Sequence, residues 1–533
     1  MGGPIKFKPN LRLFEAITII VGSMIGSGIL LLPADMAELL PSPGLILIVL
    51  VAGALLTVVG ALTFAELSSM FPRAGGQYHF LKEGLGRFWG YLFGWSQFWV
   101  IQSGIIAGVA VAFSRFFRYF IVDRFGWSLP GHKVALTSKV ASGPCVVENA
   151  NGDCLNRLIQ ISPIEIPAWS DAFVAIGVIL VLALFNARSS TLAGRIQNTA
   201  TIAKVTGLAA LVFIVFVLGA NAGKMAPDAY EARGGGLAPE GMDGAALVIA
   251  FGGALALSLF AFDGWPQATY VAGEVRNAKR NLPIALTVGP LITSAIYLAL
   301  AAAYFFVIGI DQAVDLGVKD LRIAPEAAGA VLGTGGRDFI SAVALVSVFG
   351  TVNGFILTAP RIFYAFSRDG GMLPSMGQLN RNAVPGWAIY FTALWASLLV
   401  LTGGYQQLVT MVVFGIFLFY IPTSIAHLRM RGVSWLGIRG TRRDQERPFK
   451  TPLYPFVPLL FLLASVFIVV SILLTSMAQA LIAFILMGLG VPFYFLQRKS
   501  MDAAHAANAA ERAAEHDEAD LIVHAPDEKR DVA

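Results

Sequence analysis

Three short stretches of this chain carry residue types that could do chemistry inside otherwise apolar sequence. The first is Gly22-Ser23-Met24-Ile25-Gly26-Ser27-Gly28, with three glycines in seven residues. The second is Phe260-Ala261-Phe262-Asp263-Gly264-Trp265-Pro266, which sets a carboxylate, a glycine and a proline side by side. The third is Lys204, a lone cation whose neighbours Ala203, Val205 and Gly207 offer nothing polar. Glycine in a helix interior costs close to 1 kcal/mol relative to alanine. Three together unwind the helix and expose amides and carbonyls for which lipid has no partners. Either break alone is equally well explained by close helix packing through small residues. Two breaks at equivalent positions of two halves point instead to an inverted repeat with a ligand site at the membrane midplane. The second half of the first broken helix would begin at Ser27-Gly28-Ile29 with free N–H groups and a positive dipole end, a cradle for a carboxylate. The first half of the second would end near Phe260-Ala261 with free carbonyls, suited to an ammonium. Carboxylate and ammonium a few ångströms apart describe an α-amino acid.

The elements that must position these groups follow from composition. Of 533 residues 56% are hydrophobic and 13% charged, against roughly 25% charged in an ordinary soluble domain. The chain reads as all-α and polytopic, with twelve transmembrane helices at about 12–40, 44–69, 88–118, 169–187, 192–220, 245–273, 284–310, 337–366, 385–403, 406–429, 456–475 and 477–497. With the N-terminus inside, the inner face carries 26 Lys and Arg and the outer face 11. The positive-inside rule then puts both termini in the cytoplasm of a multi-pass cell-membrane protein. The same bias accounts for the net charge of +5, so the lipid bilayer is the expected partner and nucleic acid is not. Met1 to Arg12 lacks a small-residue cleavage site, so the first span is expected to stay as an uncleaved anchor.

The expected organisation is a cytoplasmic N-terminus 1–11, a first five-helix repeat 12–220 with an outer loop 119–168, and an outer loop 221–244. A second repeat 245–429, a basic cytoplasmic loop 430–455, two further helices in 456–497 and a cytoplasmic tail 498–533 follow, the tail helical around Ala503 to Ala514. Cys145 and Cys154 share the long outer loop, where oxidising conditions permit a disulfide. The six histidines, His79, His132, His427, His505, His516 and His524, have no zinc-like spacing, so no metal and no cofactor is expected. No span pairs a nucleophile with a base, which argues against an intramembrane enzyme, and no ring of repeated carbonyls or charges reads as a channel filter.

Lys204 falls within roughly 6 Å of the centre of its span at 1.5 Å per residue. A lysine there costs on the order of 2.5–3.5 kcal/mol unless it faces the bundle interior and finds acceptors, which favours an interior position over snorkelling. Glu66 and Glu274, near inner helix ends beside Arg73 and Arg276, read as ion-paired anchors, and Asp35 and Glu38 as hydrated groups at an outer end. Asp263 has two readings: an N-cap for the second half of its helix, with Pro266 in the first turn, or a carboxylate that meets a cationic side chain or the substrate ammonium.

At these residues the chain resembles the amino acid, polyamine and organocation transporter superfamily, and within it the L-type amino acid transporters and their prokaryotic relatives. The stretches that carry the resemblance are Gly22 to Ile29, Ala65 to Tyr78, Gly194 to Asn198 with Lys204, Phe260 to Tyr270 continuing to Arg280-Asn-Leu-Pro283, and Phe349 to Gly354. The resemblance covers about 12–430. It implies the leucine-transporter fold, five plus five helices in inverted repeat with helices 1 and 6 discontinuous. It places the substrate carboxylate at Ser27 and Gly28, and the ammonium at the carbonyls of Met24, Phe260, Ala261 and Asp263, with Phe260 as the aromatic gate. It makes Lys204, near Gly26 and Ser347 or Thr351, the substitute for the sodium ion of sodium-coupled relatives. The implied function is sodium-independent secondary transport of L-amino acids by alternating access, by exchange or with protons. Polyamine or other organic-cation transport, and sensing without translocation, are the alternatives. In animal relatives a cysteine of the outer loop links to a glycoprotein subunit; with two nearby cysteines in a prokaryotic type of sequence, that subunit is not expected here, and the oligomeric state is left open.

Overall fold

Apolar stretches of this length satisfy their own backbone groups in hydrocarbon only as helices or closed barrels, and here they are helices. The computed structural model of the chain describes residues 7–523 apart from 126–133, 137–163, 167–168, 222, 224, 227–228, 233–238, 240–241, 243, 319–321, 403–404, 434–436 and 443. The helices run α1 (Leu13–Met24), α2 (Gly28–Leu39), α3 (Pro43–Met70), α4 (Gln77–Leu85), α5 (Arg87–Ser96) and α6 (Gln102–Phe125). Then come α7 (Trp169–Arg188), α8 (Ser190–Phe213), α9 (Gly244–Ala261), α10 (Gln267–Tyr270), α11 (Ala278–Val307), α12 (Ile310–Val318) and α13 (Ile323–Leu332). The last are α14 (Thr334–Thr358), α15 (Pro360–Arg368), α16 (Gly386–Val400), α17 (Tyr405–Arg431), α18 (Phe456–Thr475), α19 (Met477–Gly488) and α20 (Gly490–Val523).

Eleven helical stretches among the described residues are long and apolar enough to cross a bilayer, so the chain is a multi-pass membrane protein. The ninth of the twelve expected spans, 385–403, is the 15-residue α16, which reaches only about 22 Å at 1.5 Å per residue; Gly403-Gly404 follow it in the sequence. The expected spans 1 and 6 are each two helices, α1 with α2 and α9 with α10. The one sheet among the described residues is a short antiparallel ribbon, β1 (Val134–Leu136) on β2 (Ile164–Ile166). Cys145 and Cys154 lie outside the described residues. In the tail, α20 runs on to Val523, past the Ala503 to Ala514 expected from sequence, and Arg87 Nη1 pairs with Asp502 at 2.8 Å.

The two glutamates find partners other than their sequence neighbours. Glu66 is fully buried: its Oε2 accepts from Arg431 Nη1 at 2.9 Å and from Thr451 N–H at 2.7 Å, and lies 3.2 Å from His427 Nε2. Arg447 Nε lies 3.1 Å from Glu66 Oε1, so one carboxylate from α3 gathers the end of α17 and the chain that leads to α18. Glu274 pairs with Arg361, a fully buried guanidinium at the start of α15, at 2.8 Å. Arg276 instead donates to Pro9 O at 2.9 Å. There Leu11 N–H donates to Glu274 O and Arg276 N–H to Leu11 O, at 2.9 and 2.7 Å. This backbone bridge ties the start of α1 to the chain leaving α10.

Removing one partner of a buried ion pair strands the other charges, at a cost of about 3–5 kcal/mol. Glu66→Ala is therefore expected to lower the Tm of the detergent-solubilised protein by many degrees. Lys279→Ala, which breaks the exposed 2.8 Å pair with Glu446, is expected to leave Tm unchanged. Equal Tm values for the two variants would show that the Glu66 cluster does not hold the fold together.

Candidate functional site

The first broken helix stops because Ile25 leaves helical geometry at ψ 87° and α2 restarts at Gly28. Leu30 and Leu31 N–H groups return to Ser27 O at 3.1 Å each, so the amides of Gly28 and Ile29 head the new helix with no helical acceptor of their own. The second broken helix stops at Ala261, turns through Gly264 at φ +113°, and restarts as α10 after Pro266. Glycine is required at two contacts between the breaks. A Cβ on Gly28 would meet Ala261 Cα at 2.7 Å, and one on Gly264 would meet Ser23 C at 2.7 Å. The two unwound segments thus lie backbone against backbone, and only residues without a side chain permit it.

Between them is a cavity lined by Ser23, Met24, Gly26, Ser27, Gly28, Phe260, Ala261 and Asp263, closed by Ile105, Val109, Thr351 and Phe355. It measures about 20 Å³, room for roughly one water molecule. Anything the size of an amino acid enters only by displacing side chains, and Phe260 and Phe355 are the bulky ones. Ile29 is buried behind this lining rather than in it.

The carbonyls at the break already have donors. Tyr297, buried on α11, aims its hydroxyl at Met24 O at 2.6 Å and at Ala261 O at 3.0 Å, and Phe260 O accepts from Asp263 N–H at 3.1 Å. A carbonyl has two lone pairs, so each retains capacity for a second donor. Sequence reading missed Tyr297; its only signal was a hydroxyl inside an apolar span. Asp263 is not the cap of α10, because Pro266 holds that position. Its carboxylate instead accepts from Gly264 N–H and lies 3.4 Å from the Tyr420 hydroxyl. On its far side a second, narrower polar cavity is lined by Gln77, Gln97, Gln102 and Gln267 with Tyr270 and Tyr420. Gln97 Oε1 has no hydrogen-bond partner there.

Lys204 is fully buried and is the fifteenth of the 30 residues in Ser190–Gly219. Its three N–H groups are shared among four oxygens, Gly22 O at 2.8 Å, Ile25 O at 2.6 Å, Ser347 O at 2.8 Å and Thr351 Oγ1 at 3.0 Å from Nζ. Ser347 Oγ donates to the same Ile25 carbonyl at 3.1 Å. The ammonium therefore joins α1, α8 and α14 through the carbonyls that the break in α1 sets free. Gly26 is beside this cage but does not supply an oxygen to Nζ; a Cβ there would meet Thr351 Cγ2 at 3.1 Å. The carbonyls of Gly22 and Ile25 were not foreseen, since which oxygens turn toward the cation depends on the dihedrals of the break. Around the cage, Thr18 Oγ1 donates to Asn198 Oδ1 at 2.6 Å, Thr201 Oγ1 to Thr18 O at 3.2 Å, and Asn353 Nδ2 to Gln197 Oε1 at 3.1 Å.

Two broken helices thus meet at a cavity of about one water's size, with a fixed cation beside it. The amino acid permease family profile matches residues 11–491, and the chain belongs to that family, within the amino acid, polyamine and organocation transporter superfamily. It is 27% identical over 497 residues to the serine/threonine exchanger SteT of Bacillus subtilis (strain 168), spanning 92% of this chain and 97% of that one. It is 28% identical over 502 residues to the human b(0,+)-type amino acid transporter 1, 92% and 88% of the two chains. Over 510 residues it is 27% identical to the large neutral amino acids transporter small subunit 2 of Oryctolagus cuniculus, 93% and 81%.

The Gly28 contact generates a prediction. Gly28→Ala adds one methyl group against Ala261 Cα, so the two breaks must separate and substrate binding is expected to fall at least tenfold. Gly177→Ala, where a Cβ meets nothing within 4 Å, is expected to bind as wild type. Substrate-dependent thermal stabilisation of the purified proteins reads both, and wild-type binding by Gly28→Ala would contradict the packing account.

Proposed function

We propose that this chain is a sodium-independent exchanger of L-amino acids that works by alternating access on a leucine-transporter fold. The observation that carries the reading is the Lys204 ammonium on α8, whose four oxygen partners come from the break in α1 and from α14. A cation supplied by the chain itself leaves a sodium ion no task at that place. The carboxylate of the substrate sits on the amides at Ser27, Gly28 and Ile29, and its ammonium on the carbonyls of Met24, Phe260, Ala261 and Asp263, sharing Met24 and Ala261 with the Tyr297 hydroxyl. Phe260 closes over it.

The inverted repeat is supported by the matched breaks. It is supported too by short helices that follow the second span of each half, α4 in the first and α12 with α13 in the second. On the side of the N-terminus, Glu274 on Arg361 and Lys82 Nζ on Asp369 Oδ2 at 2.5 Å brace the cytoplasmic end in the conformation seen here. Burial pushes the Asp369 carboxyl up, but Lys82 and the Tyr78 hydroxyl at 2.7 Å outweigh it and hold it below the ordinary carboxylate value. That brace is therefore present at neutral pH and lost as pH falls through the lowered value. A cytoplasmic position of both termini in a cell-membrane protein is supported by the excess of inner Lys and Arg. Exchange is favoured over proton coupling by the likeness to an exchanger.

Asp263 gives the site a second recognition element, a carboxylate that reaches cationic side chains. In proteoliposomes, amino acid uptake is expected to require internal amino acid, to be the same in sodium and choline chloride, and to resist decarboxylated amines, which leave the α2 amides unpaired. Strong inhibition by agmatine or putrescine would instead assign the chain to polyamine transport. Asp263→Asn is expected to lose arginine and lysine exchange selectively while sparing alanine and leucine. Unchanged selectivity in that variant would remove Asp263 from substrate recognition.

A further inference from the structure

Apart from the site between the broken helices, a groove of about 550 Å³ lies on the outer face of the bundle, where α8 meets α14 and α6. Its walls are apolar: Phe113, Ala203, Leu345, Val346 and Phe349, with Ala200 as the floor. Thr199, Ala203 and Val346 are exposed, so the groove opens sideways, into the layer that a bilayer fills with acyl chains. One end carries a charge. Arg195 lines the groove, is exposed, and has no ion-pair partner among the described residues.

Position along α8 fixes what that charge meets. Lys204, at the middle of its span, is nine residues from Arg195, or about 13 Å at 1.5 Å per residue. Half the hydrocarbon thickness is about 15 Å, so the Arg195 guanidinium is at the level of the headgroups on the side of the N-terminus. The groove runs from there to the midplane. We propose that it is a binding site for an anionic phospholipid, with the phosphate on Arg195 and one acyl chain laid along α8 over Ala200 and Ala203. Charge complementarity and depth select this occupant: a guanidinium matches a phosphodiester, and only a molecule with a polar end at the interface and an apolar tail fills the rest.

The site bears on the Lys204 cage because both use one seam. A Cβ on Gly350 would meet Ala200 Cβ at 2.6 Å and Lys204 Cε at 3.6 Å, so the floor of the groove is the wall of the cage. A chain bound there presses α8 onto α14, the helices whose approach places Ser347 O and Thr351 Oγ1 around the ammonium.

The test uses the full-length protein and does not depend on the transport reading. Native mass spectrometry of the purified protein with phosphatidylglycerol or phosphatidylcholine is expected to show phosphatidylglycerol retained roughly fivefold over phosphatidylcholine, the preference one basic residue near the interface supplies. Arg195→Gln is expected to lose the preference and Arg195→Lys to keep it. Val346→Trp, which fills the groove and leaves the charge, is expected to lower retention of both lipids. Arg439→Gln, an exposed cation in the basic loop, is expected to behave as wild type. Equal retention of the two lipids by wild type, an unchanged preference in Arg195→Gln, or undiminished retention in Val346→Trp would each overturn the proposal.

Discussion

A backbone that unwinds in the middle of a membrane must find partners for its carbonyls within the protein, and here the Lys204 ammonium is that partner. It donates to two carbonyls at the break in α1 and to Ser347 O and Thr351 Oγ1 of α14. Each side solves the other's problem. An unpaired lysine at this depth is costly, and so is an unpaired carbonyl. Together they form charge-assisted hydrogen bonds, each worth about 1.5–3 kcal/mol. The other features of the centre follow: with the carbonyls turned toward Lys204, the amides that begin α2 are left facing the cavity.

Close packing carries this order from the cage to the site. Gly28 on Ala261 and Gly264 on Ser23 hold the two breaks against each other, and Tyr297 spans both with one hydroxyl. On the side of the N-terminus the same pair of broken helices is joined again, by the bridge between Leu11 and Val275. The two are thus linked at the centre and at one end, which favours motion of α1 and α10 as a unit. Glu274 on Arg361 connects that unit to α15, so an opening on this side has to separate a buried ion pair.

Much of this was legible in the sequence because membranes make polar residues informative. The glycine run and the Asp-Gly-Trp-Pro turn located both breaks, and the isolation of Lys204 in an apolar span pointed inward. What stayed hidden depends on contacts between distant segments. Glu66 and Glu274 read as ion-paired, but their partners proved to be Arg431, Arg447 and Arg361 rather than Arg73 and Arg276, since a helix end points its charges away from its own continuation. Arg361 and Tyr297 gave no local pattern. α16 ends at Val400, before the Leu401-Thr402-Gly403 that the expected span took in, and of the two readings of Asp263 the cap falls to Pro266, since helix starts and polar turns share one composition.

The central claim is that the Lys204 ammonium stands where a bound sodium ion would otherwise be needed to hold the site together. Substrate affinity of wild type and Lys204→Met, measured by isothermal titration calorimetry in sodium chloride and in choline chloride, tests it most directly. The account predicts equal affinity of wild type in both salts, and a loss of at least tenfold in a Lys204→Met protein that still inserts and purifies. Affinity that rises steeply with sodium in wild type, or survives intact in Lys204→Met, would contradict it.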